Sequence, residues 1–359
     1  MKLQELDCDY VIVGQGLAGT VLGWQLRARG RHVIFFDREE PVTASKIAAG
    51  LINPIAGRRI CLTWRWEEFH ASARQFYGEV EAELGRSLLR SIPLVRLFGN
   101  ADDLERWERI SVQPAVRSCL SSPQPTPLAD PDLVRLGAGG FEIEKSYVLD
   151  VAAFLASSKD LFDVRSDGLN LAGQVRLERN CVAVDGAKAT VTAHRLVFCQ
   201  GPDARYGNPF FDWVPFRCAK GEILTIRCEA MAAEKRILNG PGWLAPIPNT
   251  PGFFRAGSTY GHQDLTNTPT PEGRRAIEEK LRQLLRVDFE VVDHKAAVRP
   301  VIQHSRALAG LHPSHSRLGF FNGLGSKGAL NAPALAARFV SHLEDGAPLD
   351  NDLDLQKNL

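Results

Sequence analysis

A short apolar run, Tyr10-Val11-Ile12-Val13, leads directly into Gly14-Gln15-Gly16-Leu17-Ala18-Gly19, and this joining of a buried strand to a Gly-x-Gly-x-x-Gly turn constrains the chain more than any other feature. Gly14 permits the tight turn, Gly16 lets a pyrophosphate approach the backbone, and Gly19 lets the following helix lie close to its strand. The N–H groups of the first helical turn then face phosphate. Ala18, Leu22 and Leu26 share one helical face, Gly30 supplies the stop, and Val33-Ile34-Phe35-Phe36 reads as a second buried strand. Asp37 ends that strand, 18 residues after Gly19. A carboxylate there accepts hydrogen bonds from an adenosine ribose and repels a 2′-phosphate, so the expected ligand is FAD or NAD rather than NADP.

At 359 residues the chain is long enough for about two domains. Its 43 basic and 42 acidic residues leave a formal net charge of +1, which argues against a polyanion or a membrane surface as principal partner. Nucleic acid is disfavoured for the same reason. The first strand begins almost at the N-terminus, leaving no charged leader and apolar core for a signal peptide, and no run approaches the length of a membrane span. Cys8, Cys61, Cys119, Cys181, Cys199, Cys218 and Cys228 are scattered, odd in number and never spaced Cys-x-x-Cys. A reduced, cytoplasmic protein with buried thiols is expected.

Further along, Ser45 to Pro54 reads as a loop opening a short helix, Trp66 to Leu89 as a helix, and Arg90 to Leu97 as a strand. Residues 121–132 carry four prolines and almost no core, the pattern of a surface excursion. Phe141 to Val148 returns to extended structure, and Asp150 is placed to cap a helix through Leu155. Arg195 to Gly201 reads as a buried strand bringing a further parallel strand to the dinucleotide. Pro215 to Ile226 and Gly252 to Tyr260 look like antiparallel strands, and Glu272 to Leu285 is an amphipathic helix with Ile277, Leu281 and Leu284 on one side. Leu318 to Gly328 runs from strand into a second glycine-rich loop, which feeds a helix over Ala332 to Leu343 and so makes a second dipolar site.

In order along the chain, the Gly14-Gly16-Gly19 turn with Asp37, the segment Ser45 to Pro54, Cys199-Gln200-Gly201, Lys220-Gly221-Glu222, Gly257-Ser258-Thr259, Arg299-Pro300 and the loop Gly323-Leu324-Gly325-Ser326-Lys327-Gly328 resemble the flavoprotein amine and amino-acid oxidoreductases related to D-amino acid oxidase, glycine oxidase and sarcosine oxidase. The fold this implies is α/β: a Rossmann-type FAD-binding domain with a second α+β substrate domain whose antiparallel sheet roofs the flavin. The FAD domain is expected over 1–85, 150–213 and 301–345, the substrate domain over 86–149 and 214–300, and a C-terminal tail over 346–359. By the same resemblance Gly16, Leu17, Ala18 and Gly19 meet the pyrophosphate, Gly14 belongs to the cofactor site as the turn residue, and Asp37, with Arg38 beside it, meets the adenosine ribose. Ser45, Ala48, Ala49 and Gly50 follow the phosphates and the flavin edge, Val175 touches adenine through its backbone, and Gly201 closes the returning strand. Gly323, Gly325, Ser326, Lys327 and Gly328 bring N–H groups and a helix dipole to N1 and C2=O of the isoalloxazine, where negative charge gathers on reduction. No cysteine follows Arg299, where the sarcosine oxidase branch carries its flavin-linking thiol, so the FAD is expected to be noncovalent.

The family reaction moves hydride from an amine-bearing carbon to flavin N5; the imine then hydrolyses, and an acceptor, often O2, reoxidises the flavin. The expected substrate is a small amine or amino acid. Arg299 matches the family's carboxylate clamp, and its rigid fork suits bidentate pairing. Lys327 matches a lysine that helps hold carboxylate, and Trp243 and Tyr260 are placed to wall the pocket. Arg58 and Arg59 either add charge at the cavity mouth or form a solvated pair, Cys199 reads as a small hydrophobe, and His304, His312 and His315 do not form a metal set. Val301-Ile302-Gln303-His304 stands where relatives often carry Thr-x-Asp, which leaves the substrate open. The rivals are the oxidase part of a tRNA wobble-uridine modifying enzyme, a flavin-binding protein without turnover, and an NAD-dependent dehydrogenase. Near-zero net charge and the lack of an attached methyltransferase domain argue against the first, and the second glycine loop against the last.

Overall fold

Val33–Phe36 is buried at every position, as expected of a strand covered on both faces. In the computed structural model, which describes residues 4–56, 60–120, 128–166 and 168–358, this strand sits inside a largely parallel sheet. The run Asp163–Arg165, Val33–Phe36, Gln4–Val13 and Ala189–Phe198 is parallel throughout. The long strand Ala189–Phe198 then divides its outer edge, taking Val182–Asp185 antiparallel along its first half and His315–Asn322 parallel along its second. Side chains alternate between faces. Tyr10, Ile12, Val33 and Phe35 pack beneath the helices Leu17–Ala28, Trp66–Leu84, Val151–Lys159 and Gly328–Asp345. Val11, Val13, Ile34 and Phe36 pack on the other side against Phe211, Val214 and Ile302.

The first glycine turn is closed by backbone contacts that leave no room for side chains. Gly14 has φ +102, and a Cβ there would stand 2.5 Å from the Cys199 carbonyl oxygen. A Cβ on Gly19 would stand 2.0 Å from the carbonyl oxygen of Gly14 itself. The helix therefore seats directly on the turn.

A second sheet orders Glu290–Arg299, Ala219–Arg227, Phe253–Gly257, Trp243–Pro246, Ile237–Asn239, Leu94–Leu97 and Gly140–Ile143. It is antiparallel except between Ile237–Asn239 and Leu94–Leu97. One face is covered by the helix Pro271–Leu284, whose Ile277, Leu281 and Leu284 are buried against Leu224, Ile226, Leu244 and Phe254. The other face turns toward the glycine turns of the parallel sheet.

Several sequence expectations shift. The helix from Trp66 ends at Leu84 rather than Leu89, because Gly85 adopts a left-handed φ of 62 and closes it. Arg90 to Leu97 is two strands in two sheets, Leu89–Ser91 and Leu94–Leu97, parted at Pro93, which has no N–H for a ladder. Phe141 to Val148 divides likewise into Gly140–Ile143 and Tyr147–Leu149. Of the excursion at 121–132, residues 121–127 lie outside the described residues, but Ala129 is buried and Leu128 packs on the core beside it, so this segment contributes more core than its composition promises. Arg58 and Arg59 also lie outside the described residues. Past Gly346, Leu349, Leu353 and Leu355 are buried, and Ala309 N–H donates to the Leu353 carbonyl at 2.8 Å.

The helix Gly328–Asp345 starts earlier than expected and contains Pro333. Proline cannot donate to the carbonyl four residues before it, here that of Ala329. The fully buried Tyr77 hydroxyl donates to that carbonyl instead, at 2.9 Å.

Candidate active site

Where the two sheets face each other they enclose a cavity of about 1030 Å3, at the upper end of the range for small-molecule sites. Gly14, Gly16, Leu17, Ala18, Asp37, Arg38, Ser45, Ala48, Ala49, Gly50 and Gly201 line it, and so do Gly325, Ser326 and Gly328 of the second loop. Two glycine turns just over three hundred residues apart thus share one wall. Asp37 holds the first turn in shape: one carboxylate oxygen accepts from Gln15 N–H at 2.6 Å and the other from Glu39 N–H at 2.7 Å. Ser45 Oγ accepts from Leu17 N–H at 3.0 Å. Neither the helix from Leu17 nor the helix from Gly328 is capped by the side chain of its own N-cap residue, Gly16 or Lys327. The partial positive charge of both helix starts is therefore available at the cavity wall. Arg38 is paired with Asp203, whose carboxyl burial raises above the usual range. Cys199 also lines the cavity, with a buried thiol that desolvation pushes far upward and leaves inert.

On the opposite wall, Arg299 ends the strand Glu290–Arg299 and pairs in register with Ala219. Its guanidinium lies over Gly221, where a Cβ would come within 2.1 Å of it. The guanidinium contacts Ser258 Oγ at 3.3 Å and the Thr259 carbonyl at 3.4 Å, and sits 5.5 Å from the Tyr260 ring centre. Among the described residues no carboxylate pairs with it, and burial holds it below the ordinary arginine range. Trp243, opposite Gly257 in the sheet, lines the same cavity. Arg255 Nη1 donates to the Ala48 carbonyl at 2.9 Å, tying the antiparallel sheet to the loop after Ser45.

Five expected site residues stand elsewhere. Gly19 lies behind the turn, pressed on Gly14, and Gly323 is packed against Ile302, so neither reaches the wall; Asn322 and Leu324 do. Val175 is buried in a short strand against Val184, while Leu169 and Leu171 line the cavity in its place. Lys327 and Tyr260 line a neighbouring cavity of about 390 Å3, which shares Leu324, Gly325 and Ser326 with the first. Lys327 Nζ donates to Thr63 Oγ1 at 3.1 Å, and desolvation lowers its pKa. The helical turn begins at Gly328, which rotates the preceding lysine away from the side of Gly325 that faces the large cavity.

The sequence reading passed over Gln15, Asp203, Ser258, Asn267 and Asn322, all on the wall of the large cavity. Ser258, and Gly221 which also lines the cavity, stood in recognised segments without a site role, and for Gly221 strand alternation, which turns it opposite to its charged neighbours, was the available signal. Among the described residues, no cluster of three or more His, Cys, Asp and Glu is placed to hold a metal.

A Gly-x-Gly-x-x-Gly turn, an acid at the end of the next strand and a second helix start on one wall fit an adenine dinucleotide carrying a flavin. Residues 9–342 match the family model described as FAD dependent oxidoreductase. The chain belongs to that family. FAD is its cofactor, and it is an oxidoreductase of α/β architecture with two sheets. The fold is that of glycine oxidase from Geobacillus kaustophilus, at TM-score 0.77 and 19% identity over 99% of this chain and 98% of that one. Iminodiacetate oxidase from Chelativorans sp. BNC1 is similar at TM-score 0.77 and 18% identity, covering 96% and 98%. In sequence, the chain is 27% identical to the tRNA 5-methylaminomethyl-2-thiouridine biosynthesis bifunctional protein MnmC of Burkholderia mallei (strain SAVP1) over 95% of this chain and 57% of that protein. It therefore spans little more than half the length of the curated relatives it matches. No helix among the described residues is long and apolar enough to cross a membrane.

Proposed function

We propose that this FAD-dependent oxidoreductase oxidises a small amine or amino acid at the carbon bearing the nitrogen. The observation that carries the reading is Arg299: a half-buried guanidinium with no carboxylate partner among the described residues, facing the cavity that both glycine turns share. A cation so placed is a receptor for a substrate carboxylate, which it can grip through two parallel hydrogen bonds. Trp243 walls the bound substrate, and Tyr260 and Lys327 approach from the neighbouring cavity.

Gly14, Gly16, Leu17 and Ala18 hold the pyrophosphate, Asp37 the ribose, and Ser45, Ala48, Ala49 and Gly50 the run toward the flavin. Gly325, Ser326 and Gly328 meet the pyrimidine edge of the flavin. Bound FAD supplies a hydride acceptor, and acid precipitation releases it intact because its attachment is noncovalent. The chain's own part is to orient the substrate through Arg299, to exclude water between the sheets, and to direct the dipole at Gly328 toward developing negative charge. Hydride leaves a neutral amine, so activity declines toward acid pH as the substrate ammonium keeps its proton. The imine then hydrolyses, and O2 is the proposed acceptor. The domain division at 1–85, 150–213 and 301–345 against 86–149 and 214–300 is supported by the strands each set supplies to the two sheets. A cytoplasmic location is proposed, since all seven cysteines are free.

Anaerobic mixing of the yellow protein with glycine, sarcosine, D-amino acids and related amines tests the reading. At least one member bleaches the oxidised flavin band; a panel without any bleaching overturns it. A second reading, oxidation of a modified tRNA uridine side chain, is favoured by the likeness to MnmC along 95% of the chain. It requires tight tRNA binding that weakens steeply with salt.

A further inference from the structure

Along the strand Ala219–Arg227, Gly221 faces the cavity while Lys220 and Glu222 point to the opposite side. Both are only 4% exposed, a state that lysine and glutamate reach almost only when paired. They are not paired with each other. Their partners lie almost wholly in one excursion, residues 258–270, between the strand Phe253–Gly257 and the helix Pro271–Leu284.

Lys220 exchanges two backbone hydrogen bonds with Gly261, at 2.8 and 3.1 Å. Its ammonium donates to the Asp264 carboxylate, to Thr266 Oγ1 at 3.3 Å and to the Thr268 carbonyl at 2.5 Å. Glu222 N–H donates to Thr259 Oγ1 at 2.9 Å, and its carboxylate accepts from Thr270 N–H and Oγ1 at 2.9 and 2.8 Å. His294 Nε2 lies 2.7 Å from the same carboxylate. The excursion is thus stapled near both ends and in its middle.

The same excursion supplies both hydrogen-bond partners of the Arg299 guanidinium, Ser258 Oγ and the Thr259 carbonyl. Asn267, also within it, accepts from the N–H of Val298, the residue before Arg299. An arginine side chain gives up rotamer freedom when it binds an anion, and contacts of 3.3 and 3.4 Å orient it only if the groups that make them are themselves fixed.

We propose that Lys220 and Glu222 are positioning residues for Arg299: by fastening residues 258–270 to the strand whose Gly221 leaves room for the guanidinium, they set the preference for carboxylate-bearing ligands. This rests on Arg299 being the carboxylate receptor. Titration of the holoenzyme with benzoate and with its neutral isostere benzamide, read from the visible flavin spectrum, tests both statements separately. A loosened fold weakens both probes alike; a misplaced guanidinium weakens benzoate alone.

The unaltered protein prefers benzoate, and Arg299→Ala removes that preference, raising the benzoate Kd about 100-fold. Lys220→Met and Glu222→Gln each raise it about tenfold, leaving benzamide within about twofold and FAD bound. Asp264→Asn, at a half-exposed position, gives the same pattern at about threefold and serves if a core variant fails to fold. If Arg299→Ala separates the two probes while Lys220→Met, Glu222→Gln and Asp264→Asn shift both equally or neither, the positioning role is overturned and the clamp stands. If the unaltered protein does not distinguish benzoate from benzamide, or Arg299→Ala leaves the distinction in place, the clamp is overturned and the positioning role with it.

Discussion

The glycine turn at Gly14 and the station of Arg299 face one cavity but are built on different principles. The turn is contiguous: Gly19 seats on the carbonyl of Gly14, Asp37 grips the N–H of Gln15, and the five successive residues Gly14 to Ala18 all line the cavity. The Arg299 station is assembled from the 221, 258–259 and 299 regions, brought together by the register of three neighbouring strands. Backbone recognition of phosphate can be encoded locally because every residue carries an N–H. Side-chain recognition of a substrate depends on which strands become neighbours.

Two glycine substitutions break this comparison most sharply. Gly19→Val places new atoms against the carbonyl oxygen of Gly14, 2.0 Å from its Cβ, and backbone held in a turn cannot yield. The expected result is a colourless protein that does not take up FAD and is destabilised by about 3 kcal/mol or more, measured by flavin absorbance and denaturant unfolding. Gly221→Ala makes a clash of nominally equal severity, 2.1 Å, but against the end of a flexible arginine. That protein stays yellow and folded while its benzoate affinity falls about tenfold.

Tyr77→Phe comes next. It strands the Ala329 carbonyl that Pro333 cannot serve, with a loss of about 1 to 3 kcal/mol in denaturant unfolding at unchanged substrate preference. The smallest effect is a pH dependence at His70. Its ring stacks on Trp66 at 4.7 Å, and burial, aided by Arg74 and Lys145, lowers its pKa to about 4. The unfolded chain takes up that proton near pH 6.5 and the folded one only near 4, so stability falls as pH drops through this interval. Partial exposure keeps the loss below about 2 kcal/mol, and His70→Gln flattens Tm against pH over the same range.

Much of the parallel sheet was legible in the sequence. Val33–Phe36 has the boundaries its apolar run announced, Asp150 caps its helix through Ala153 N–H, and the buried stripe Ile277, Leu281 and Leu284 identifies the face of the helix from Pro271. These are local patterns of burial and capping, and neighbours in sequence settle them. The splitting of Arg90 to Leu97 and of Phe141 to Val148 was not legible, because a strand that passes from one sheet to another keeps its extended pattern while its partners change. Tyr77 was missed for a related reason: nothing near it in sequence tells that its hydroxyl will meet a carbonyl 252 residues away. Lys327 belongs to the recognised loop, yet one turn of helix decides which of two adjoining cavities its ammonium enters.

By itself the sequence determined the dinucleotide turn, its acid, the second glycine loop and the class of cofactor, because those features act through backbone geometry that a few adjacent residues prescribe. Only the tertiary structure decided that Arg299 lies over Gly221 with no carboxylate partner among the described residues, and that Lys220 and Glu222 lie beneath the loop that meets its guanidinium. Register between distant strands brings those side chains together, and no single segment of the chain contains that information.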